Sequence, residues 1–337
     1  MRCSVAVLIT LNQRLITTAT QLATVILRLA VISSAQKRIL AALVRARGDV
    51  ALAAQEAGVT RQYVYEVMRR LKRLGVRFYA EPYYRALGLA PVMVLVGRCK
   101  PQAELVKHRV LYAKCYCFDG EDYELAVFVA PEERIDSVFM ELVDKCLLVR
   151  ELYDIIQPAP ELDVRSFVCA ALEKKLEAWQ PKAFRRLEAD AVDAVLLSKL
   201  GQDFYVTLKA VAKETGINRS TLSYHFRRHV KDLIRLRYYY TPLHGFPPTL
   251  IRVTLETKDA VSLLSRCDFV LRVLLSRDRR EAYIITTLQA DDFWRLLKYA
   301  PALSETIGNI KFVGLLDPQS MKFCVPNYSE LLLRGET

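Results

Sequence analysis

The chain repeats itself at an offset close to 158 residues, and this limits its fold more than any other feature. Residues 58–70 read GVTRQYVYEVMRR and residues 216–228 read GINRSTLSYHFRR. Each run has a Gly, a β-branched apolar residue, a small polar residue and an Arg, then an amphipathic stretch closed by an Arg pair. Gly88-Leu89-Ala90-Pro91 answers Gly245-Phe246-Pro247-Pro248, and Ile155-Ile156-Gln157-Pro158 answers Leu315-Leu316-Asp317-Pro318. Agreement at three separate places marks a duplicated unit about half the chain long. The 337 residues then suit two to four compact domains.

Within each copy the apolar spacing first predicts three helices. In the first copy a helix begins near Ser34 and carries Ile39, Leu40, Leu43 and Val44 at helical spacing. Val50 to Ala57 is a second helix. Gly58-Val59 makes the turn, and Thr60 caps a third helix with Val64, Met68 and Leu71 inward. In the second copy the helices run Asp193 to Leu200 and Leu208 to Thr215, followed by one capped by Asn218 with Leu222 and Phe226 inward. A glycine turn before a basic third helix is the helix-turn-helix pattern. Arg77 to Tyr83 and Arg235 to Tyr240 read as short extended wings.

A strand-rich stretch follows each helical unit. In the first copy Val92–Val96, Leu111–Phe118, Tyr123–Val129 and Val149–Ile156 are strands, with helices at Ala103–His108 and Glu132–Lys145 and a hairpin turn at Asp119-Gly120. The second copy repeats the order with strands at Leu250–Leu255, Val270–Leu275, Ala282–Leu288 and Ile310–Leu315, and helices at Asp259–Arg266 and Asp291–Tyr299. This is β-α-β-β-α-β, the ferredoxin-like order. The expected fold is therefore α+β, a tandem duplication of a winged helix-turn-helix plus a ferredoxin-like domain. The boundaries are a winged helix-turn-helix at 34–86, a ferredoxin-like domain at 87–160, a helical linker at 161–189, the second winged helix-turn-helix at 190–244 and the second ferredoxin-like domain at 245–337. In the linker, Ala170 to Trp179 reads as a Glu- and Lys-rich helix, followed by the basic stretch Lys182 to Arg186.

Residues 1–33 have no counterpart in the repeat. Residues 5–32 are apolar but broken by Asn12, Gln13, Arg14, Gln21 and Arg28. A central Arg is costly in a bilayer, so no membrane span is expected. The stretch reads as an extra amphipathic helix or an over-called translation start. The eight cysteines are scattered without a CxxC, which points to reduced, mostly buried thiols in a cytoplasmic protein. Lys plus Arg outnumber Asp plus Glu by 49 to 37, a net charge of +12, and that excess points to a polyanionic partner.

The third helices are the place to meet one. The outer face of the first offers Arg61, Gln62, Tyr65, Glu66, Arg69 and Arg70, with Lys72, Arg73 and Arg77 following. That of the second offers Arg219, Ser220, Ser223, Tyr224, Arg227 and Arg228, with Lys231, Arg235 and Arg237 following. Arg61 and Arg219 hold the same early position, where a forked guanidinium suits the N7/O6 edge of guanine. The other arginines and lysines suit phosphate. Because the outer faces differ, two half-sites read by them would differ too. The expected partner is double-stranded DNA.

The order of elements, with the stretch Lys114-Cys115-Tyr116-Cys117-Phe118-Asp119-Gly120-Glu121-Asp122-Tyr123-Glu124-Leu125, resembles the leucine-responsive regulator/AsnC family of transcription factors. The resemblance covers residues 34–160 and, more weakly, 190–325. It implies a transcriptional regulator that is not an enzyme. It also implies a small-molecule effector near the glycine turn, although Arg277-Asp278-Arg279-Arg280 replaces that turn in the second copy. Family members dimerise through the ferredoxin-like domain, so two units in one chain imply an intramolecular pseudo-dimer in which the two sheets pack on one another. Further homo-oligomerisation stays open.

Two alternatives belong to other classes. One is a protein–protein adaptor whose winged helices do not read DNA. The other is a siroheme decarboxylase, an enzyme class similar to this family and marked by histidines in the ferredoxin-like domain; here that domain has His108 in the first copy and none between Thr249 and Pro318 in the second. His225 and His229 stand at the spacing of a two-histidine metal face, but no Cys, Asp or Glu close in sequence completes a shell, and arginines surround them. No metal and no cofactor are expected, and Cys115-x-Cys117 reads as strand packing.

Overall fold

A computed structural model describes residues 32–97, 108–143, 146–180, 186–239 and 247–333. The expectations for residues 1–31, for a helix at 103–107 and for the basic stretch 182–185 lie outside the described residues.

The first half runs α1 (Ser34–Arg45), α2 (Val50–Ala57), α3 (Arg61–Arg73), β1 (Arg77–Pro82), β2 (Leu89–Val96), β3 (Arg109–Cys117), β4 (Asp122–Pro131), α4 (Ile135–Leu142), β5 (Leu148–Ile156) and α5 (Val164–Leu172). The second runs α6 (Ala191–Gln202), α7 (Leu208–Thr215), α8 (Arg219–His225), β6 (Ile234–Tyr239), β7 (Thr249–Leu255), α9 (Ala260–Leu264), β8 (Val270–Ser276), β9 (Glu281–Thr286), α10 (Ala290–Leu303), β10 (Gly308–Leu316), β11 (Lys322–Phe323) and α11 (Tyr328–Leu332).

The eight long strands β2–β5 and β7–β10 form a closed barrel. Each half contributes four antiparallel strands in the same order, fourth-first-third-second: β5-β2-β4-β3 and β10-β7-β9-β8. The sequence leads one to expect two sheets stacked face to face. Instead they join edge to edge on both sides, β5 pairing with β8 and β10 with β3. Closure satisfies the edge strands that a stacked pair would leave open. It also explains why β2 is apolar on both faces. Leu89, Met93 and Leu95 fill the barrel interior, while Ala90, Val92, Val94 and Val96 lie under Ile135, Val138 and Leu142 of α4. On the other half, Ile251, Val253, Val273 and Ile284 are covered by Val164 and Phe167 of α5 and by α9 and α10.

Gly314 sits on the β10–β3 seam, paired with Cys117 on one side and Leu250 on the other. A Cβ there would stand 2.6 Å from the Tyr116 carbonyl oxygen and 2.8 Å from Cys117 Cα. Only glycine lets these backbones approach.

The expected wings are not free hairpins. β1 and β6 pair with each other, Arg77 opposite Tyr239 through Pro82 opposite Ile234. This ribbon ties the two halves together. One face, with Phe78, Leu236 and Tyr238, packs into the core of α1–α3. The other turns Glu81, Arg235 and Arg237 toward β5.

The linker helix also differs from expectation. It runs Val164–Leu172, capped by Asp163 accepting from Ser166 N, and not over the charged stretch 170–179. Val164, Phe167, Val168 and Ala171 are buried at helical spacing, and burial of that stripe outweighs the helix propensity of the Glu and Lys residues after it. Lys174 then takes a left-handed conformation, φ 54°.

Candidate nucleic-acid interface

α3 is placed by its caps and its buried stripe. Gly58 adopts φ 65°, which ends α2, and the Thr60 hydroxyl accepts from Tyr63 N to start α3. Val64, Val67, Met68 and Leu71 are buried. That orientation turns Arg61, Gln62, Tyr65, Arg69, Arg70 and Arg73 to solvent. Arg70 pairs with Glu66 one turn back, and Lys72 pairs with Asp203 of the second helical group at 3.4 Å. Both pairs are exposed and of the kind that phosphate readily displaces.

α8 is built the same way. Gly216, φ 75°, ends α7, and Asn218 accepts from Ser220 N at 2.9 Å. Leu222 and Val230 are buried, and Arg219, Ser220, Tyr224, Arg227, Arg228 and Lys231 are exposed, with Ser223 half-buried. The Ser220 hydroxyl is engaged by Asn218 Oδ1 at 2.7 Å. From Phe226 the helix widens into a π turn over Phe226–Val230, with Lys231 N donating to Phe226 O at 2.8 Å.

Two arginines expected to meet phosphate do not face solvent. Arg237 is 3% exposed and donates from Nε to Glu81 Oε2 at 2.6 Å. Arg235 is also buried and donates from Nη1 to Asp154 Oδ2 at 2.7 Å, with Glu81 Oε2 at 3.2 Å. Burial pulls the Arg235 pKa down, and the Asp154 carboxylate outweighs it and raises the pKa above the usual arginine value. Burial, with Arg235 beside it, leaves Arg237 lowered. Arg272, 2% exposed, donates to the Tyr79 hydroxyl at 2.6 Å on the same face of the ribbon. Nothing local in the sequence discloses the set formed by buried Glu81, Arg235, Arg237 and Arg272 with half-buried Asp154. Its only trace there is the alternation of arginines with Leu236 and Tyr238, which marks a strand with two different faces.

A second group is likewise assembled only by packing. Asp190 caps α6, accepting from Val192 N and Asp193 N, both at 2.9 Å. The first turn of α6 lies against α8 and the π turn. Asp193 is fully buried there, with His225 Nδ1 3.1 Å from its Oδ1 and His229 Nδ1 3.0 Å from its Oδ2. Asp190 Oδ2 lies 3.4 Å from His225 Nδ1. The expectation that no acidic residue lies beside these histidines is thereby corrected, because helix packing supplies carboxylates from more than thirty positions upstream.

Elsewhere, a cleft of ≈ 490 Å³ lies at the β5–β8 seam, lined by Phe139, Arg150, Glu151, Ser276, Arg277, Asp278 and Glu281. It adjoins the 277–280 turn that stands where the first copy has Asp119-Gly120. His108, at the foot of β3, is buried. Cys115 Sγ and Cys117 Sγ lie 3.6 Å apart, as expected for alternate residues on one strand face. No described helix is long and apolar enough to cross a membrane.

No protein-family model matches the sequence, and no curated protein matches it. Among solved structures the chain is similar to the siroheme decarboxylase NirDL, at 13% identity and a TM-score of 0.47 over 90% of this chain and 97% of that one. It is also similar to a candidate monooxygenase from Lactobacillus acidophilus NCFM, at 10% identity and a TM-score of 0.25 over 70% of this chain and 98% of that one. Both likenesses are distant.

Proposed function

We propose that the chain is a sequence-specific DNA-binding regulator whose two helical groups act as helix-turn-helix readers. One observation carries this. α3, and α8 with the turn that follows it, bury their apolar stripe and turn their cationic side chains outward, nine Arg and Lys residues in all: Arg61, Arg69, Arg70, Lys72, Arg73, Arg219, Arg227, Arg228 and Lys231. A solvated face of that composition, with Gln62, Tyr65 and Tyr224 among the cations, fits base edges and phosphates. The β1–β6 ribbon couples the two readers within one chain, so a bound site would be composite, each half reading its own sequence.

Arg219, at the first position of α8, acts on a base edge, while Arg228 and Lys231 act on phosphate. Arg219→Ala therefore relaxes preference at one base pair at a cost of about 1–3 kcal/mol. Arg228→Ala with Lys231→Ala weakens binding to all sequences alike. Selection of binding sites from random duplexes by the purified chain tests the proposal. Enrichment of an asymmetric motif supports it; no enrichment moves the reading to an adaptor. Visible absorption from a co-purified tetrapyrrole would move it to the decarboxylase class.

A further inference from the structure

We infer that Asp190, Asp193, His225 and His229 form a binding site for one divalent transition metal of the zinc class. The site stands apart from the DNA reading, since none of these four side chains is among the proposed contacts.

Geometry carries the inference first. One ligand atom from each of the four residues can be chosen so that all lie within 4.8 Å of one another. Four of the separations are 3.1 Å (His225 Nδ1 to Asp193 Oδ1), 3.0 and 3.3 Å (His229 Nδ1 to the two Asp193 oxygens) and 3.4 Å (His225 Nδ1 to Asp190 Oδ2). Tetrahedral zinc with bonds of about 2.0–2.1 Å holds its ligand atoms about 3.3 Å apart. These separations, which His–carboxylate hydrogen bonds also give, match the edges of such a shell. A modest turn of the Asp190 side chain, 52% exposed, closes it.

Charge points the same way. Asp193 is fully buried, and no Lys or Arg pairs with it or with Asp190 among the described residues. A buried carboxylate facing two imidazoles and one backbone N–H, with no Lys or Arg beside it, carries a desolvation cost that a divalent ion offsets. Two carboxylates and two neutral imidazoles around such an ion give a neutral assembly. Two nitrogen donors exclude magnesium and calcium and favour zinc, cobalt or nickel.

The backbone supports the donor set. Asp193 is fixed by its own capping box, Oδ2 accepting from Asp190 N at 3.3 Å. The π turn begins immediately after His225 and contains His229, and such turns recur at functional sites. His229 and Asp190 are part-exposed, which leaves a path for entry. With four protein ligands the site is structural. It staples the first turn of α6 to the helix proposed to read DNA.

The full chain, stripped with a chelator and kept under a phosphine reductant, is titrated with cobalt(II) and then with zinc. The expected result is one equivalent bound at submicromolar affinity, with the strong visible bands of tetrahedral cobalt lacking thiolate ligands, displaced by zinc. His229→Gln and, separately, His225→Gln should abolish the bands and lower affinity at least a hundredfold while keeping the far-ultraviolet circular dichroism of the parent. If a histidine variant does not fold, Asp190→Ala on the exposed side serves, with at least a tenfold loss expected. Absence of stoichiometric binding would overturn the site. So would full retention of binding in the variants, or thiolate-to-cobalt charge-transfer bands that place the ion at Cys115 and Cys117 instead.

Discussion

Replacing Glu81 by Gln removes one charge from the buried set that couples the β1–β6 ribbon to the barrel. Glu81 is 2% exposed and Arg237 is 3% exposed. The pair is joined by the 2.6 Å bond from Arg237 Nε, and Arg235 reaches the same oxygen at 3.2 Å. Two arginines there face two carboxylates, Glu81 and Asp154, with Arg272 close by. Without the Glu81 charge, Arg237 keeps the Ile155 carbonyl and no anion of its own. Leaving such a charge uncompensated costs about 3–5 kcal/mol. The lower end applies here, because Glu81 Oε1 takes no hydrogen bond and part of the desolvation of the pair is already unmet. Urea unfolding followed by circular dichroism should therefore show Glu81→Gln less stable by about 3 kcal/mol. Glu81→Leu with Arg237→Met, which removes both charges, should lose less than the single change. A loss under about 1 kcal/mol for Glu81→Gln, or a double variant worse than the single, would show that the ribbon is not held by charge compensation.

Gly314→Ala should destabilise by on the order of 1–3 kcal/mol, because its Cβ meets the Tyr116 and Cys117 backbones of β3; differential scanning calorimetry reads this, and an unchanged transition would contradict the seam. Acid should weaken the fold. The backbone hydrogen bond from Ser166 holds the Asp163 carboxyl below the usual range, and the Ser276 hydroxyl does the same for Asp278. Burial pushes Glu281 up, but hydrogen bonds from Arg252, Arg150 and Tyr283 together bring it below. Folded values below unfolded ones give stability that is present above about pH 4 and lost as pH falls through the folded values. The urea midpoint should thus drop below pH 4 and stay flat from pH 5 to 7, and a midpoint insensitive to acid would contradict these assignments. Among the cysteines of the described residues, a brief pulse of iodoacetamide at pH 8 should label exposed Cys169 first, while Cys115 and Cys267, whose thiols burial pushes up, react only on unfolding; mass spectrometry of the peptides decides.

Local signals were readable where they were self-contained. α2 and α7 were expected at Val50–Ala57 and Leu208–Thr215 and are found there, because a polar cap and a left-handed glycine bound each one. The succession of strands and helices along each half followed from alternation and turn residues. What sequence did not disclose depended on partners distant in the chain. The strands β1 and β6 read as exposed basic wings, since nothing local says that Arg235 and Arg237 will meet Glu81 and Asp154. Barrel closure rests on the β5–β8 and β3–β10 edges, whose pairing no single strand specifies. The charged helix formers at 170–179 mask α5 in the sequence, because the stripe that sets it, Val164, Phe167, Val168 and Ala171, lies before them. His225 and His229 stand out in the sequence and their aspartates do not, because α6 brings Asp190 and Asp193 beside them only when packed. The outward residues of α3 and α8 were readable because each apolar stripe sets the opposite face.

DNA binding by the paired basic helices is decided by a salt titration of duplex affinity. Fluorescence anisotropy with the purified chain and a labelled duplex, from 50 to 200 mM salt, gives the slope of log affinity against log salt. If five of the nine exposed cations on α3 and on α8 with the turn that follows it meet phosphate, the slope is about −4.5 and affinity falls several hundredfold over that range. Arg228→Ala with Lys231→Ala should make the slope shallower by about 2. A slope near zero, or one that the double variant leaves unchanged, would contradict binding through these helices.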